Sequence, residues 1–185
     1  DPRWANLAEK TIAEILIDHA YCEQKAASSC ISLIVNYPDK SKLVETLTPV
    51  VAEEWAHFER VMEKMKERHI EFGKKRKDEY VEKLLQLKKK GGSKDEQLVE
   101  NLLINAIIEA RSCERFRLLS ENIQDDDLKK FYYELMISEA GHYVNFVDLA
   151  KEYLSEAYVK NRLNELLKAE AEIMKNLDIR GDRMH

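Results

Sequence analysis

Two glutamate–histidine pairs carry the chemistry that this sequence suggests. Glu54 precedes His57 by three residues, and Glu139 precedes His142 by the same spacing. Residues three apart on an α-helix lie on one face, so each pair can direct a carboxylate and an imidazole to one place. Each pair interrupts an apolar stripe with helical spacing, and burying such groups is costly unless they bind a partner. The pairs therefore predict metal ligands on two helices.

Two single glutamates complete the pattern. Glu23 lies on one further apolar helical stripe and Glu109 on another. Their separation is one residue longer than that between Glu54 and Glu139. A lone Glu followed on the next helix by Glu-x-x-His, present twice, is the ligand set of ferritin-like di-metal carboxylate bundles. Glu114 is a rival to Glu109 because it has an apolar face of its own, but the neighbours of Glu109 match those of Glu23.

The donor types indicate which metals such a site would bind. The six predicted ligands are Glu23, Glu54, His57, Glu109, Glu139 and His142. Carboxylates and imidazoles without a thiolate favour iron(II) or manganese(II) over copper(I) or a structural zinc. Two divalent cations would cancel the charge of four carboxylates that otherwise repel one another in a low-dielectric interior. Iron oxidation, peroxide reduction and hydroxylation all use this constellation, so the ligands alone do not choose among them.

Two further polar residues lie one turn before the single glutamates. His19 precedes Glu23, and Asn105 precedes Glu109. Each is interpreted either as a partner that orients the ligand or as a polar residue hydrogen-bonded between helices. A different interpretation of the whole pattern is a non-catalytic helical bundle in which the six polar residues are structural.

Composition favours long helices. The 185 residues fit one domain, and 44% apolar and 35% charged residues with only five Gly and three Pro argue against a β-rich fold. No apolar run approaches the ~20 residues of a membrane span, and no signal-peptide pattern is present. The three cysteines lack a C-x-x-C spacing and imply no disulfide framework. The expectation is a single cytoplasmic domain over residues 1–185 without a membrane partner.

Apolar periodicity and turn signals predict the order of the helices. The expected helices run from about Trp4 to Asn36, Ser41 to His69, Ser93 or Asp95 to Asn122, Asp125 to Leu154 and Ala157 to Lys175, with a short helix over Tyr80 to Leu87. The predicted fold is an all-α, ferritin-like four-helix bundle of two helical hairpins with a long crossover and an extra C-terminal helix. Pro49 is expected to kink the second helix or to mark its start. The polar tail from Asp178 is expected to be mobile.

The crossover between the hairpins is basic. Its cations are Lys74, Lys75, Arg76, Lys77, Lys83, Lys88, Lys89 and Lys90. Such a run is interpreted either as a solvated face or as an electrostatic site for nucleic acid. The formal net charge of −5 does not exclude the second interpretation, because a local patch attracts a polyanion even on an acidic protein.

Four segments resemble the MiaE family of bacterial tRNA hydroxylases: residues 1–4, 17–28, 53–59 and 108–116. The resemblance extends over nearly the whole chain, and the segment around Glu109 is the most specific. It implies an O₂-dependent di-iron enzyme that hydroxylates the isopentenyl side chain of 2-methylthio-N6-isopentenyladenosine next to the anticodon. The same six residues would hold its two iron ions. Gly141 departs from the larger residue expected between the last Glu and His.

The resemblance also implies partners. Anticodon-loop phosphates would be held by Lys74, Lys75, Arg76, Lys88, Lys89 and Lys90. The modified adenine lies in a single-stranded loop, where a base can leave its stack and pack on aromatic or Arg side chains. No flavin or nicotinamide motif is present, so a separate reductase or ferredoxin must supply electrons. The alternative is a ferritin-like ferroxidase or peroxide-reducing di-iron protein, which needs no RNA.

Overall fold

Seven α-helices make up the regular structure of the residues that the structure describes. The computed structural model describes residues 3–74 and 77–185, and these residues contain no strand. The helices are α1 (Arg3–Lys10), α2 (Ile12–Asn36), α3 (Ser41–Glu67), α4 (Glu79–Leu85), α5 (Lys94–Asn122), α6 (Asp126–Tyr153) and α7 (Glu156–Asn176). The predicted all-α class is confirmed. Within the described ranges, no helix has an apolar stretch long enough to cross a membrane.

The segment that was predicted to be one helix from Trp4 to Asn36 forms two helices, α1 and α2. Thr11 leaves the helical conformation, with φ −129° and ψ 39°. Its hydroxyl lies within hydrogen-bonding distance of the carbonyl oxygens of Leu7, at 3.2 Å, and Gly181, at 2.7 Å. A threonine hydroxyl can compete with backbone groups for hydrogen bonds and so favour the end of a helix. Apolar periodicity does not register this competition, so it predicted one continuous helix through Thr11. Pro49 lies inside α3 and does not mark its start.

Residue contacts divide the described chain into two units. The N-terminal unit comprises residues 3–74, 77, 118–131 and 180–184. The C-terminal unit comprises residues 78–117, 132–179 and 185.

The N-terminal unit is built on the hairpin of α2 and α3. The two helices pack along their length through small and branched apolar residues that are almost fully buried, among them Ala20, Ala27, Val50 and Val61. Small residues on α2 allow close approach of the helices, so that polar residues on the same stripes face each other. Arg68 beyond the end of α3 bonds Asp125 and Asp127 at 2.9 Å each, and Asp125 also caps α6 through the backbone N–H of Leu128.

The tail is anchored, contrary to the expectation of mobility. Met184 is 1% exposed, and its backbone N–H donates to a carboxylate oxygen of Asp18 at 2.9 Å. The indole N–H of Trp4 donates to the carbonyl oxygen of Arg183. A polar sequence predicted solvent exposure, but these contacts to Trp4 of α1 and Asp18 of α2 hold residues 180–184 in the N-terminal unit.

The C-terminal unit contains the second hairpin and the extra helix. Phe116 of α5 packs against Tyr132 of α6 with ring centroids 5.5 Å apart. Buried ion pairs tie α7 to α5. The guanidinium of Arg162 bonds both carboxylate oxygens of Glu100 at 2.6 and 2.8 Å. A capping box begins α5: Ser93 accepts from the N–H of Glu96, and the Glu96 carboxylate accepts from the N–H of Ser93.

Candidate metal centre

The first group of predicted ligands lies together in the N-terminal unit. Glu23 comes from α2, and Glu54 and His57 come from α3; all three are at most 6% exposed. The Nδ1 atom of His57 is 3.5 Å from a Glu23 oxygen and 3.8 Å from a Glu54 oxygen. One ligand atom from each residue lies within 4.8 Å of the others. We call these three residues the N-terminal cluster.

His19 adds a hydrogen bond to this cluster. Its Nε2 atom is 2.6 Å from Oε1 of Glu23, and its side chain is fully buried. Burial alone would raise the pKa of the Glu23 carboxyl, but the hydrogen bond and charge of His19, with contacts from His57 and Glu54, hold that pKa well below its usual range. The lowered pKa favours the ionised form of Glu23, which is the form of a carboxylate that binds a metal.

The second group lies together in the C-terminal unit. Glu109 comes from α5, and Glu139 and His142 come from α6; all three are at most 4% exposed. The Nδ1 atom of His142 is 4.0 Å from Oε2 of Glu109. One ligand atom from each residue again lies within 4.8 Å of the others. We call these residues the C-terminal cluster.

Both clusters have donors that suit a hard divalent cation. Each offers two carboxylates and one imidazole from a buried helical hairpin, with the acidic and basic atoms close enough to share one ion. Isolated charges of this kind are strongly disfavoured in an interior, whereas metal coordination satisfies them. The donor set fits iron(II) or manganese(II). The structure thus brings the six predicted residues into two triads of identical composition.

The competing acids lie elsewhere. Glu53 and Glu134 are exposed. Glu114 is half-buried and forms an ion pair with Arg111 of the same helix. The geometry therefore favours Glu109 over Glu114 as a ligand candidate, because only Glu109 adjoins a Glu-x-x-His pair of its own unit.

Asn105 of α5 and Gly141 of α6 are the remaining positions near the C-terminal cluster that the sequence singled out. The side-chain amide nitrogen of Asn105 donates to the carbonyl oxygen of Asn101 at 2.9 Å, a bond within its own helix. A Cβ built on Gly141 would meet no atom within 4 Å. The Cβ atom of a larger residue at this position would therefore lie in open space.

The crossover cations have mixed environments. Lys74 and Lys90 are exposed. The ammonium of Lys88 donates to Asn101 at 3.0 Å, and that of Lys89 lies 3.3 Å from a Glu165 oxygen. Lys88 and Lys89 thus help to attach the crossover to α5 and α7. Lys75 and Arg76 lie outside the described residues.

An aromatic cluster beside the N-terminal cluster was not predicted. Tyr21 stacks on Phe72 at 4.4 Å between ring centroids, Phe72 meets Phe58 edge-on at 5.8 Å, and Trp55 lies 5.0 Å from Phe58. Trp55 is 45% exposed although it follows Glu54 directly. The sequence signal that could have indicated this cluster is the pair of aromatic residues, Trp55 and Phe58, that flanks His57 on α3.

A groove of about 690 Å³ adjoins this aromatic cluster in the N-terminal unit. Its apolar lining comes from Phe58, Met62 and Ile70. Its charged lining is mainly acidic and comes from Glu59, Glu63, Lys66 and Glu71. Apolar surface with carboxylates at its edge suits an uncharged, apolar group and repels phosphate.

Comparisons with known proteins agree with this arrangement. Residues 2–185 match the family model described as tRNA-(MS[2]IO[6]A)-hydroxylase (MiaE). A tRNA 2-(methylsulfanyl)-N(6)-isopentenyladenosine(37) hydroxylase of Pseudomonas putida is 35% identical over 95% of this chain and 84% of that protein. A Salmonella typhimurium protein of the same name is 33% identical over 78% of this chain and 52% of that protein.

A solved structure extends the comparison to the fold. "Protein 43 with aldehyde deformylating oxygenase activity from Synechococcus" superposes with a TM-score of 0.93 over 99% of this chain and 91% of that chain, at 32% identity. With the helix order, this likeness confirms the ferritin-like fold class. Because the family model matches almost every residue and the Pseudomonas putida relative is more than 30% identical, the chain belongs to the MiaE family.

Proposed function

We propose that this chain is an O₂-dependent di-iron hydroxylase of tRNA that acts on the isopentenyl side chain of 2-methylthio-N6-isopentenyladenosine next to the anticodon. The observation that carries the proposal is the match of residues 2–185 to the hydroxylase family. Two relatives are named for hydroxylation of this nucleoside. The buried Glu, Glu, His triad in each unit supports it independently, because this donor set suits iron(II). A tRNA substrate places the protein in the cytoplasm.

The two clusters together are proposed to hold two iron ions. The four carboxylates carry four negative charges, which two divalent cations would cancel. This would remove the repulsion among the buried glutamates. His57 and His142 would each donate one ring nitrogen as neutral imidazoles. Burial of all six side chains keeps bulk water from the metals. When bound, the iron pair would supply the redox chemistry that activates O₂ for attack on a C–H bond.

The proposed reaction requires an external electron donor. One atom of O₂ enters the substrate as a hydroxyl group and the other leaves as water, which consumes two electrons and two protons. Because the sequence has no flavin or nicotinamide motif, an external reductase or ferredoxin is proposed to deliver the electrons.

The isopentenyl chain and the phosphates of the substrate are proposed to bind at different places on the protein. The groove beside Phe58 has the apolar lining that an isopentenyl chain requires, and Trp55 offers an exposed ring for a displaced base. The acidic edge of the groove disfavours phosphate, so exposed crossover cations such as Lys74 and Lys90 are the proposed contacts to the RNA backbone. Lys75 and Arg76 belong to the same proposal.

A second candidate function follows from the Synechococcus protein. That protein is named for aldehyde deformylating oxygenase activity, and it is 32% identical over nearly the whole chain. An aldehyde would use the same metal clusters and the apolar groove, without the crossover cations. A ferroxidase or peroxidase role is less well supported, because the relatives found are named as a hydroxylase or an oxygenase.

The test is a reaction with both substrates. The iron-loaded protein is supplied with a reducing system and O₂, and with either tRNA from cells lacking this protein or a long-chain aldehyde. Mass spectrometry of the digested tRNA should show the nucleoside gaining one oxygen atom, and Glu139→Ala should abolish the gain. Deformylated product without tRNA hydroxylation would replace the proposal with the second candidate.

A further inference from the structure

The chain that follows α3 forms one wall of the apolar groove in the N-terminal unit. Residues 69–73 lie beyond the end of the helix, and we call them the strap. His69, Ile70 and Glu71 of the strap line the groove, and Phe58 lines it from α3. The width of the groove therefore depends on where the strap lies relative to α3.

The strap begins with a sharp turn. His69 has a φ angle of 56°, in the left-handed region that few residues other than glycine adopt. The backbone N–H of Ile70 donates to the carbonyl oxygen of Met65 at 2.9 Å. The N–H of His69 donates to the carbonyl oxygen of Lys66 at 3.1 Å. Paired bonds of this kind end many helices, and here they fix the direction in which the strap leaves α3.

The other end of the strap is held by Tyr21 of α2. The Tyr21 hydroxyl donates to the carbonyl oxygen of Gly73 at 3.0 Å. Its ring stacks on Phe72 with centroids 4.4 Å apart, and Phe72 meets Phe58 edge-on at 5.8 Å. Tyr21 is 9% exposed, which limits the competition of water for these contacts. One side chain of α2 thus fixes the groove wall by a hydrogen bond and a ring contact.

The two helices that hold the strap also carry the N-terminal cluster. Tyr21 precedes Glu23 by two residues on α2, and Phe58 directly follows His57 on α3. The strap is therefore attached to the helices that position these metal-ligand candidates. A group bound between the strap and α3 is placed relative to the N-terminal cluster by the same contacts.

We propose that Tyr21 is a positioning residue for the substrate, because it holds the strap as a preformed wall against which the isopentenyl chain of the nucleoside packs. The inference rests on the proposed function in that this groove takes the isopentenyl chain. A preformed wall avoids the entropy cost of ordering a loose segment when the substrate binds. Loss of one neutral hydrogen bond should weaken such binding by about 3- to 10-fold.

The test compares the parent with Tyr21→Phe, which keeps the ring on Phe72 but removes the hydroxyl. Tyr133→Phe is the matched control, because it removes a hydroxyl from a ring of α6 that is 54% exposed. Hydrogen–deuterium exchange of the peptides that contain residues 69–73 measures how firmly the strap is held. Circular dichroism confirms the helical content of each variant.

Binding is measured on the same iron-loaded proteins under anaerobic conditions. The ligands are free 2-methylthio-N6-isopentenyladenosine and adenosine, which lacks the apolar chain. The emission of Trp55 reports binding, because Trp55 is 45% exposed and lies 5.0 Å from Phe58 of the groove. The kcat and KM of tRNA hydroxylation are then determined with a reducing system and O₂.

The strap amides of Tyr21→Phe should exchange about 3- to 10-fold faster than those of the parent, because the strap opens more often. The affinity for the modified nucleoside should fall by a similar factor, whereas adenosine should bind the two proteins equally. In tRNA hydroxylation, KM should rise with little change in kcat, since the metal ligands are untouched. Tyr133→Phe should match the parent in every measurement. If Tyr21→Phe loses helical content, Phe72→Leu breaks the ring stack instead and should show the same changes.

Two results would overturn the inference. Unchanged exchange of the strap in Tyr21→Phe would mean that Tyr21 does not hold it. Faster exchange with unchanged affinity for the modified nucleoside would mean that the strap is no part of the substrate site. In both cases a parent that hydroxylates tRNA leaves the proposed function standing. A parent that neither binds the nucleoside nor hydroxylates tRNA would instead contradict the proposed function itself.

Discussion

At the scale of single residues, the choice between Glu109 and Glu114 depends on what each carboxylate contacts. Glu109 is 4% exposed and lies 4.0 Å from a ring nitrogen of His142. Glu114 forms an ion pair with Arg111, which also bonds Glu170 of α7. One acid therefore belongs to a candidate metal cluster and the other to a helix-joining network, although only five positions separate them on α5.

Neutral amide variants separate these two roles. Glu109→Gln should lower iron content from two ions per chain to about one or fewer, because it removes a charged ligand from the C-terminal cluster. Glu114→Gln should leave iron content as in the parent, since it weakens only an ion pair with Arg111. Elemental analysis of protein purified with ample iron measures both. Full occupancy in Glu109→Gln with loss in Glu114→Gln would move the ligand role to Glu114.

At the scale of elements, some cations of the crossover attach it to neighbouring helices and others are exposed for the proposed contact with RNA. The sequence alone does not tell the two groups apart. Lys88 and Lys89 contact α5 and α7, and the backbone N–H of Lys89 donates to the buried Glu100. Gly91 and Gly92 have φ angles of 83° and 85°, which favour glycine and allow the chain to turn into α5. Lys74 and Lys90 remain exposed at the two ends of the segment. The exposed pair is the better probe of RNA binding, because its replacement breaks none of these contacts.

Salt dependence tests whether these cations contact phosphate. Lys74→Gln combined with Lys90→Gln should weaken tRNA binding most at low salt. It should also reduce the slope of log K against log salt by about 0.7–0.9 for each lost contact. Lys160→Gln combined with Lys168→Gln removes the same charge from exposed positions of α7 and should leave the slope nearly unchanged. Filter binding over a salt series measures both. Identical slopes in the two double variants would make the crossover an ordinary solvated surface.

At the scale of the whole molecule, metal binding and folding should be coupled. Each cluster joins residues from two helices, so an ion bound there is released when the helices separate. A ligand that binds only the folded chain stabilises it by about 2.7 kcal/mol at a free concentration of 100 times Kd. Repulsion among the glutamates is an additional cost in the metal-free state.

Removing the metal should therefore lower the melting temperature. For a chain of this size, about 2.7 kcal/mol corresponds to a decrease of roughly 5–10 °C. Circular dichroism melts with Fe²⁺ and with a chelator provide the comparison under anaerobic conditions. Glu139→Ala, which removes a carboxylate from the C-terminal cluster, should show a smaller difference between the two conditions. Equal melting temperatures for the metal-bound and metal-free parent would contradict the coupling.

The sequence by itself determined the helical class, most helix boundaries and the two Glu-x-x-His pairs. These features depend on local periodicity and spacing, which need no knowledge of distant contacts. Glu54 and His57 share a face of α3 wherever that helix packs. The cap signals at Ser93 and Asp95 likewise predicted the start of α5 to within two residues, and Ser93 forms the cap, whose hydrogen bonds extend only three residues. The assignment of the six residues as ligands stays a prediction.

The tertiary structure decided which polar groups meet across the chain. Burial of Met184 and the Arg162–Glu100 pair join residues far apart in sequence, and no local pattern specifies such partners. His19 and Asn105 occupy equivalent positions before a glutamate, yet only the packed structure shows that the His19 imidazole lies within hydrogen-bonding distance of Glu23. Side-chain direction depends on the space that neighbouring helices leave, and that space exists only after folding.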